Sequence, residues 1–184
     1  EVRGVLQDVT GFALSNGPGS FTGLRIGVST VKGLAYGSKI PVVAISTLLA
    51  HAARATNYDG LICALLDARK NEVYAAVFRK NGQVISRITE DTATSVATII
   101  AIAQDLRRGA PCLIVGDGAA VYKNFLRGLP GIRLHDATND LTIAATVARL
   151  AEDRFRSNEV NALGTLTPVY VRPFEATFKR QNWL

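Results

Sequence analysis

The residues of this chain best placed to do chemistry form the string Gly17-Pro18-Gly19-Ser20-Phe21-Thr22-Gly23-Leu24-Arg25-Ile26-Gly27, between an apolar run and an amphipathic one. Glycines permit the positive φ of a tight turn, and Ser20 is a good cap for a following helix. Such a turn aims backbone N–H groups at one spot, where an anion can bind with help from the helix dipole. The spacing is neither a P-loop, since no Gly-Lys-Ser/Thr follows, nor a G-x-G-x-x-G dinucleotide fingerprint. The competing reading is a turn whose glycines only permit close packing. Asp67 ends another apolar run and is followed by a turn to Glu72; its carboxylate could orient a phosphate or a metal-bound water, or simply accept turn amides. One carboxylate makes no metal site, so the turn role is preferred. Gly116-Asp117-Gly118 suits a strand-to-helix turn. Arg25, on the exposed side of the first helix, could bind a partner's carboxylate. Arg69 and Glu72 could pair across their turn. His51 and His135 lack metal spacing, and Ser20 lacks both Gly-x-Ser-x-Gly and an identifiable base, so no catalytic residue and no metal ligand set is assigned.

These groups need strands and helices to carry them. Val9 to Ser15 predicts a strand, and Ser20 to Tyr36 a helix with Phe21, Leu24, Val28, Val31 and Ala35 on one face, closed by Gly37. Gly23, Gly27 and Gly33 weaken that helix, a cost of ~1 kcal/mol each relative to Ala that close packing against a neighbour would offset. Pro41 to Ile45 predicts a strand and Ser46 caps a short helix to about Arg54, completing a right-handed strand-helix-strand unit. From Leu61 the pattern changes to a meander, Leu61–Leu66, Glu72–Arg79 and Gln83–Thr89, the last two joined by Asn81-Gly82. Helices over 94–107, 119–126 and 141–156, a strand over Cys112–Val115 and an extended tail from Thr167 to Phe174, strand or strap, complete the order. Asn57 to Gly60 marks the expected boundary between a first lobe, 1–57, and a second, 58–184.

At 184 residues and 48% hydrophobic content the chain can bury a sizeable core. The net charge of +6 suits an acidic partner such as RNA, but along the sequence the cations are scattered, with Lys179 and Arg180 the nearest thing to a basic tail. Cys63 and Cys112, far apart and without C-x-x-C spacing, predict buried free thiols and a reducing compartment. No apolar run reaches the ~20 residues of a membrane helix.

The Gly17–Gly27 string resembles the signature of the TsaB (YeaZ-like) family of the actin/Hsp70/sugar-kinase superfamily, also known as glycoprotease-like proteins. The resemblance continues, in family order, through Ser46-Thr47-Leu48, Asp67-Ala68-Arg69-Lys70-Asn71-Glu72-Val73-Tyr74, Gly116-Asp117-Gly118 and Pro168-Val169-Tyr170-Val171-Arg172. It implies an α/β, actin-like (RNase H-like) two-lobe fold with mixed sheets. Family members open with a strand bearing an Ile-Asp-Thr-like phosphate loop, two further strands and a long helix. Here Glu1 stands just ahead of the signature and the chain contains no methionine, so a first lobe truncated at its N-terminus is expected. The resemblance further implies an accessory subunit without activity of its own, which binds and organises TsaD beside TsaE, in the complex that forms threonylcarbamoyladenosine next to the tRNA anticodon. The metal-binding histidine motif of TsaD is missing here. The first helix, through Phe21, Leu24, Val28, Val31 and Ala35, would supply the face for a homodimer and for TsaD. Asp67, Gly116, Asp117 and Gly118 would mark a degenerate nucleotide site. No cofactor would be held firmly, with ATP or ADP and magnesium belonging to the complex, tRNA reached through it, a cytoplasmic location and no membrane. The alternative is an enzyme, a nucleotide-dependent phosphotransferase or a glycoprotease; a stand-alone tRNA-binding module rests on net charge alone.

Overall fold

The computed structural model describes residues 4–136 and 141–172; Lys179, Arg180 and the end of the extended tail lie outside them. After a short 3-10 turn, Leu6–Asp8, the chain forms β1 (Phe12–Gly17), α1 (Phe21–Ser38), β2 (Val42–Ser46), α2 (Thr47–Ala53), β3 (Gly60–Asp67), β4 (Val73–Asn81), β5 (Val84–Arg87) and β6 (Thr92–Thr94). Then follow α3 (Val96–Leu106), β7 (Cys112–Val115), α4 (Asp117–Val121), α5 (Lys123–Leu126), β8 (Ile132–Leu134) and α6 (Ile143–Arg156). β1 and β2 pair in parallel, Leu14 opposite Ala44, as a strand-helix-strand unit requires. The second sheet runs β5-β4-β3-β7-β8, with β6 on β4. Its meander is antiparallel, whereas β3, β7 and β8 are parallel. The fold is therefore mixed α/β.

β3 shows why the second sheet forms where it does. Its side chains alternate between two apolar clusters, Leu61, Cys63 and Leu65 on one face, and Ile62, Ala64 and Leu66 on the other. A strand buried on both faces reads as a continuous apolar run rather than an alternating one. α3 and Leu126 cover the first face, α2 the second. Serines cap α1, α2 and α3, the first two as the sequence predicts: Ser20 Oγ accepts from Gly23 N–H at 3.3 Å, Ser46 Oγ from Leu49 N–H at 3.3 Å, and Ser95 Oγ from Thr98 N–H at 3.1 Å. Both thiols are free and buried.

Several expectations change. α1 runs through Gly37 to Ser38 and ends at Lys39 in the left-handed conformation, φ 57°. Val28 and Ala35 are buried against Leu14, Val42, Ala44 and Leu166, with Val31 at the edge of that cluster. Of the stripe Phe21, Leu24, Val28, Val31 and Ala35, the structure turns Val28 and Ala35 into the chain's own core, leaves Leu24 and Val31 half-buried and sets Phe21 against Tyr170. The helix glycines do not pack closely: a Cβ on Gly27 or Gly33 would meet nothing within 4 Å, and on Gly23 only Ser20. β6 and β8 are additions to the sequence reading. α6 follows the second sheet in sequence yet packs on the first, its Val147 and Ala151 against Val43, Ile45 and Ala50. The segment 159–172 then crosses the first sheet as a strap. Asn161 donates its N–H to Val42 O and accepts from Ala44 N–H through Oδ1, both at 2.8 Å, which satisfies the outer edge of β2 as a neighbouring strand would.

Candidate functional site

The carboxyl ends of β1, β2, β3, β7 and β8 converge on one crevice, the usual place for ligands in open α/β sheets. Two hollows meet there. One, of about 550 Å³, is lined by Pro18, Gly19, Ser20 and Phe21 of the glycine-rich turn, Thr47 and His51 of α2, Asp67 to Arg69, Tyr74 and Asp117. The other, of about 680 Å³, is lined by His51, Arg54, Gly116, Asp117, Lys123, His135 and Asp136, among others. The fold thus brings the glycine-rich turn, Asp67 and the Gly116–Asp117 turn to one crevice. His51 and Asp117 border both hollows.

The glycine-rich turn is shaped by the strap as well as by its own sequence. Gly17 has φ +128°, and a Cβ there would lie 2.4 Å from Val169 O. Val169 N–H donates to Asn16 O at 2.7 Å. The Phe21 and Tyr170 rings stand 5.1 Å apart, and the Arg25 guanidinium lies 4.3 Å from the Phe21 centroid while Nε donates to Tyr170 OH at 3.2 Å. Arg25 is therefore engaged by the strap, a role its sequence position did not reveal. Thr22 and Gly23 sit on the exposed side of the first turn.

On the opposite lip, Asp67 accepts from Arg69 N–H through Oδ1 at 3.0 Å, an Asx turn, with the Arg69 guanidinium 3.7 Å away. Asp117 Oδ1 accepts from Asp67 N–H at 3.1 Å, fastening β3 to the β7–α4 turn across 50 residues of sequence. Gly116 is required there, since its Cβ would lie 2.1 Å from Leu65 O. A Cβ on Gly118 would fall 2.9 Å from Leu65 Cβ. Glu72 pairs with Arg172 of the strap and not with Arg69. Between Asp67 and Glu72, the residues Arg69, Lys70 and Asn71 are all left-handed, φ 62°, 51° and 60°. L-residues enter that region singly as a rule, at roughly 1–2 kcal/mol each, and such strain persists only where the surroundings fix it. Here Asp67 below, Arg172 beside Glu72, and the Ala68 N–H to Glu72 O bond of 3.0 Å hold it.

His51 is the residue the sequence reading left without a role. Thr47 and His51, spaced i, i+4, share the face of α2 that lines the smaller hollow; that spacing was the available signal. Burial pushes the imidazole below its ordinary pKa of 6.5, with Asp117 opposing the shift and Arg54 reinforcing it. Its Nδ1 is buried without a partner among the described residues. His135 lines the larger hollow with it, so the two histidines share a cleft that their separation in sequence conceals. No three His, Cys, Asp or Glu side chains among the described residues converge to hold a metal ion. The nearest hydroxyl pair, Ser15 Oγ and Thr47 Oγ1 at 2.5 Å, bond one another. The crevice can present backbone amides, an imidazole and cations to an anionic group; among the described residues it assembles no nucleophile with a base.

Comparison with known proteins agrees with this architecture. The family model described as TsaD, tRNA N6-adenosine threonylcarbamoyltransferase, matches residues 2–170. The tRNA threonylcarbamoyladenosine biosynthesis protein TsaB of Bacillus subtilis is 30% identical over 94% of this chain and 74% of its own length. TsaB of Escherichia coli is 31% identical over 91% and 72%. A crystal structure from Pseudomonas aeruginosa, of a protein described as similar to the peptidase YeaZ, superposes with a TM-score of 0.72 at 25% identity, covering 91% of this chain and 76% of that one. The glycine-rich turn, the Asp67 turn and the strap as far as Tyr170 fall within the matched span, and the chain belongs to the TsaB (YeaZ) family.

Proposed function

We propose that this chain serves tRNA threonylcarbamoyladenosine biosynthesis as a scaffold that binds and organises a TsaD homologue, with a TsaE homologue in the same assembly. The observation that carries the reading is the bare outer face of α1. Ile26 is 62% exposed, Leu34 41% and Tyr36 82%, and beside them Gly27, Gly33 and Gly37 have nothing within 4 Å. A helix with glycines on its outer face lets another helix approach closely, and isolated apolar side chains beside them gain from being covered. Homodimer and TsaD complex would use this same face in turn. The crevice supports the scaffold reading from the other side, because Asp67, Asp117 and Arg25 are each bonded by the chain itself. ATP or ADP with magnesium then belongs to the assembly, which acts in the cytoplasm. Among the described residues no helix is long and apolar enough to cross a membrane.

Gly27→Arg tests the reading. The substitution meets open space and replaces a poor helix former, so the fold gains about 1 kcal/mol or stays level. Capture of the TsaD homologue should be lost while thermal stability holds; undiminished capture would overturn the proposal. The second reading, a nucleotide-dependent phosphotransferase, draws on the convergence of the glycine-rich turn, Asp67 and Asp117 on one crevice. Magnesium-dependent ATP turnover that disappears in Asp67→Asn would favour it.

A further inference from the structure

Part of the positive charge lies in one stretch of sequence that the fold places along one edge of the second sheet. Between residues 105 and 136 stand five cations, Arg107, Arg108, Lys123, Arg127 and Arg133, against three carboxylates, Asp105, Asp117 and Asp136. That stretch contributes +2 to the chain's net +6. Asp117 is bonded to Asp67 N–H and lines the larger hollow with Asp136 and Lys123, whereas Arg108, Arg127 and Arg133 line neither hollow. The stretch folds as one edge of the molecule. β8 is the outermost strand of the second sheet and meets α5. The Arg107 guanidinium lies against Gly131, which brings the end of α3 to the start of β8.

Most described cations elsewhere are partnered within the chain, exposed Lys39 and Arg79 being the exceptions, and on this edge Arg107 donates to Ala110 O. Arg87 pairs with Asp91, Arg154 with Glu159, Arg156 with Glu152 and Arg172 with Glu72. Buried Lys80 donates to the carbonyls of Thr56 and Tyr58. Arg108, Lys123, Arg127 and Arg133 are exposed, and among the described residues their side chains have neither a hydrogen bond nor an ion pair. Between Lys123 and Arg127 the Phe125 ring is 46% exposed, with Val121 one turn earlier at 59%. Unpaired cations flanking an exposed aromatic ring are the elements of a surface that tracks a phosphate backbone and stacks a base.

We propose that the α3–α5–β8 edge, through Arg108, Lys123, Arg127, Arg133 and Phe125, binds RNA directly by its phosphate backbone, with Phe125 as a stacking platform for an unpaired base. The choice of RNA among polyanions rests on the reading of the chain as a tRNA-modification subunit; the surface itself rests on charge and exposure. A cationic edge of this kind orients the nucleic acid without reading its sequence.

The test is tRNA binding by the full chain, alone and with the TsaD homologue, as a function of salt. In the triple variant Lys123→Ala, Arg127→Ala, Arg133→Ala, affinity should fall. The slope of log K against log salt should become shallower by about 2 to 3, as expected for three lost phosphate contacts. Phe125→Ala should weaken binding about tenfold and leave the slope unchanged. Arg79→Ala, an exposed cation on β4, serves as the control and should change neither. All these positions are exposed, and melting temperatures within a degree or two of the parent show that the fold is intact. Equal slopes for parent and triple variant overturn the proposal. TsaD capture is read separately: loss of capture by the parent chain overturns the scaffold reading and leaves the salt slope of the chain alone to decide the RNA surface.

Discussion

Gly116→Ala should destabilise this protein far more than the loss of a hydrogen atom suggests, and the magnitude follows from two independent contacts. Gly116 has φ 95° and ψ 171°, a region open almost only to glycine, where another residue costs about 1–3 kcal/mol. Its added Cβ would lie 2.1 Å from Leu65 O, and Gly118, two residues further on, also has little room against Leu65. Restoring ordinary contact means moving the β7–α4 turn by more than ~1 Å, an overpacking cost of about 1–3 kcal/mol. Together these give ~4 kcal/mol, or roughly 12 °C in melting temperature for a chain of this size. Gly128 supplies the comparison: φ is 79° but nothing lies within 4 Å, so Gly128→Ala costs only the backbone strain, ~1 kcal/mol and about 3 °C. Thermal unfolding by circular dichroism measures both. Amide exchange adds a local readout, since a displaced Asp117 releases the Asp67 N–H that it accepts from at 3.1 Å. Melting temperatures of the two variants that agree within two degrees would refute the reasoning, because backbone strain alone would then account for both.

Other expectations follow from the same contacts. Lys39 ends α1 in the left-handed region and is exposed, so Lys39→Gly should raise stability by about 0.5–1 kcal/mol, relief of strain less the added freedom of the unfolded chain, as chemical denaturation will show. Burial holds the His51 pKa below 6.5. The unfolded chain therefore takes up the proton first: stability is level above about pH 7 and declines as pH falls below 6.5, and denaturation midpoints across pH should show His51→Gln with a shallower acid limb. Burial pushes the Cys112 thiol up to about 12 and raises that of Cys63 well above its ordinary value. Neither should react with a thiol reagent at pH 8 in the native protein, and both should react in denaturant, as mass spectrometry after alkylation will report. Lys80→Met leaves the carbonyls of Thr56 and Tyr58 without their donor and should cost about 2–3 kcal/mol in denaturant titration.

The elements legible in the sequence are those whose signal is local. β3 and β7 stand out because both faces are apolar, the β4–β5 hairpin because Asn81-Gly82 joins it, and α1 and α2 because a serine precedes each. β6 and β8, three residues each, are too short for a period and exist because β4 and β7 offer an edge. Periodicity identified which residues of α1 share a face but not what that face covers; the sheet and Leu166 beneath Val28 and Ala35 come from distant segments. The crevice shows the same division. Each of its three turns carries a recognisable string, while the bond from Asp67 N–H to Asp117, the Tyr170 hydroxyl on Arg25 and the shared position of His51 and His135 depend on residues 50 or more apart.

The expected boundary near residue 57 marks a change of sheet, but the helix before it argues against a hinge. α2 is only seven residues long and is buried on two sides. Leu48 and Ala52 belong to the cluster of Ile62, Ala64 and Phe78 on the second sheet, while Ala50 belongs to that of Val43, Ile45 and Val147 on the first. Rotating one sheet against the other would pull α2 from one of these clusters, and exposing Leu48 alone costs about 1.5–3 kcal/mol. The connection beyond α2 is fixed as well, by Lys80 on the Thr56 and Tyr58 carbonyls and by Tyr58 OH donating to Pro111 O at 2.7 Å. At the other end of α2, Arg87 donates to Ser46 Oγ at 3.1 Å across the two sheets. With these ties in place the crevice keeps its shape without a ligand to close it. The bare face of α1 is likewise presented in a fixed orientation, which lowers the ordering cost of binding for a partner that fits it.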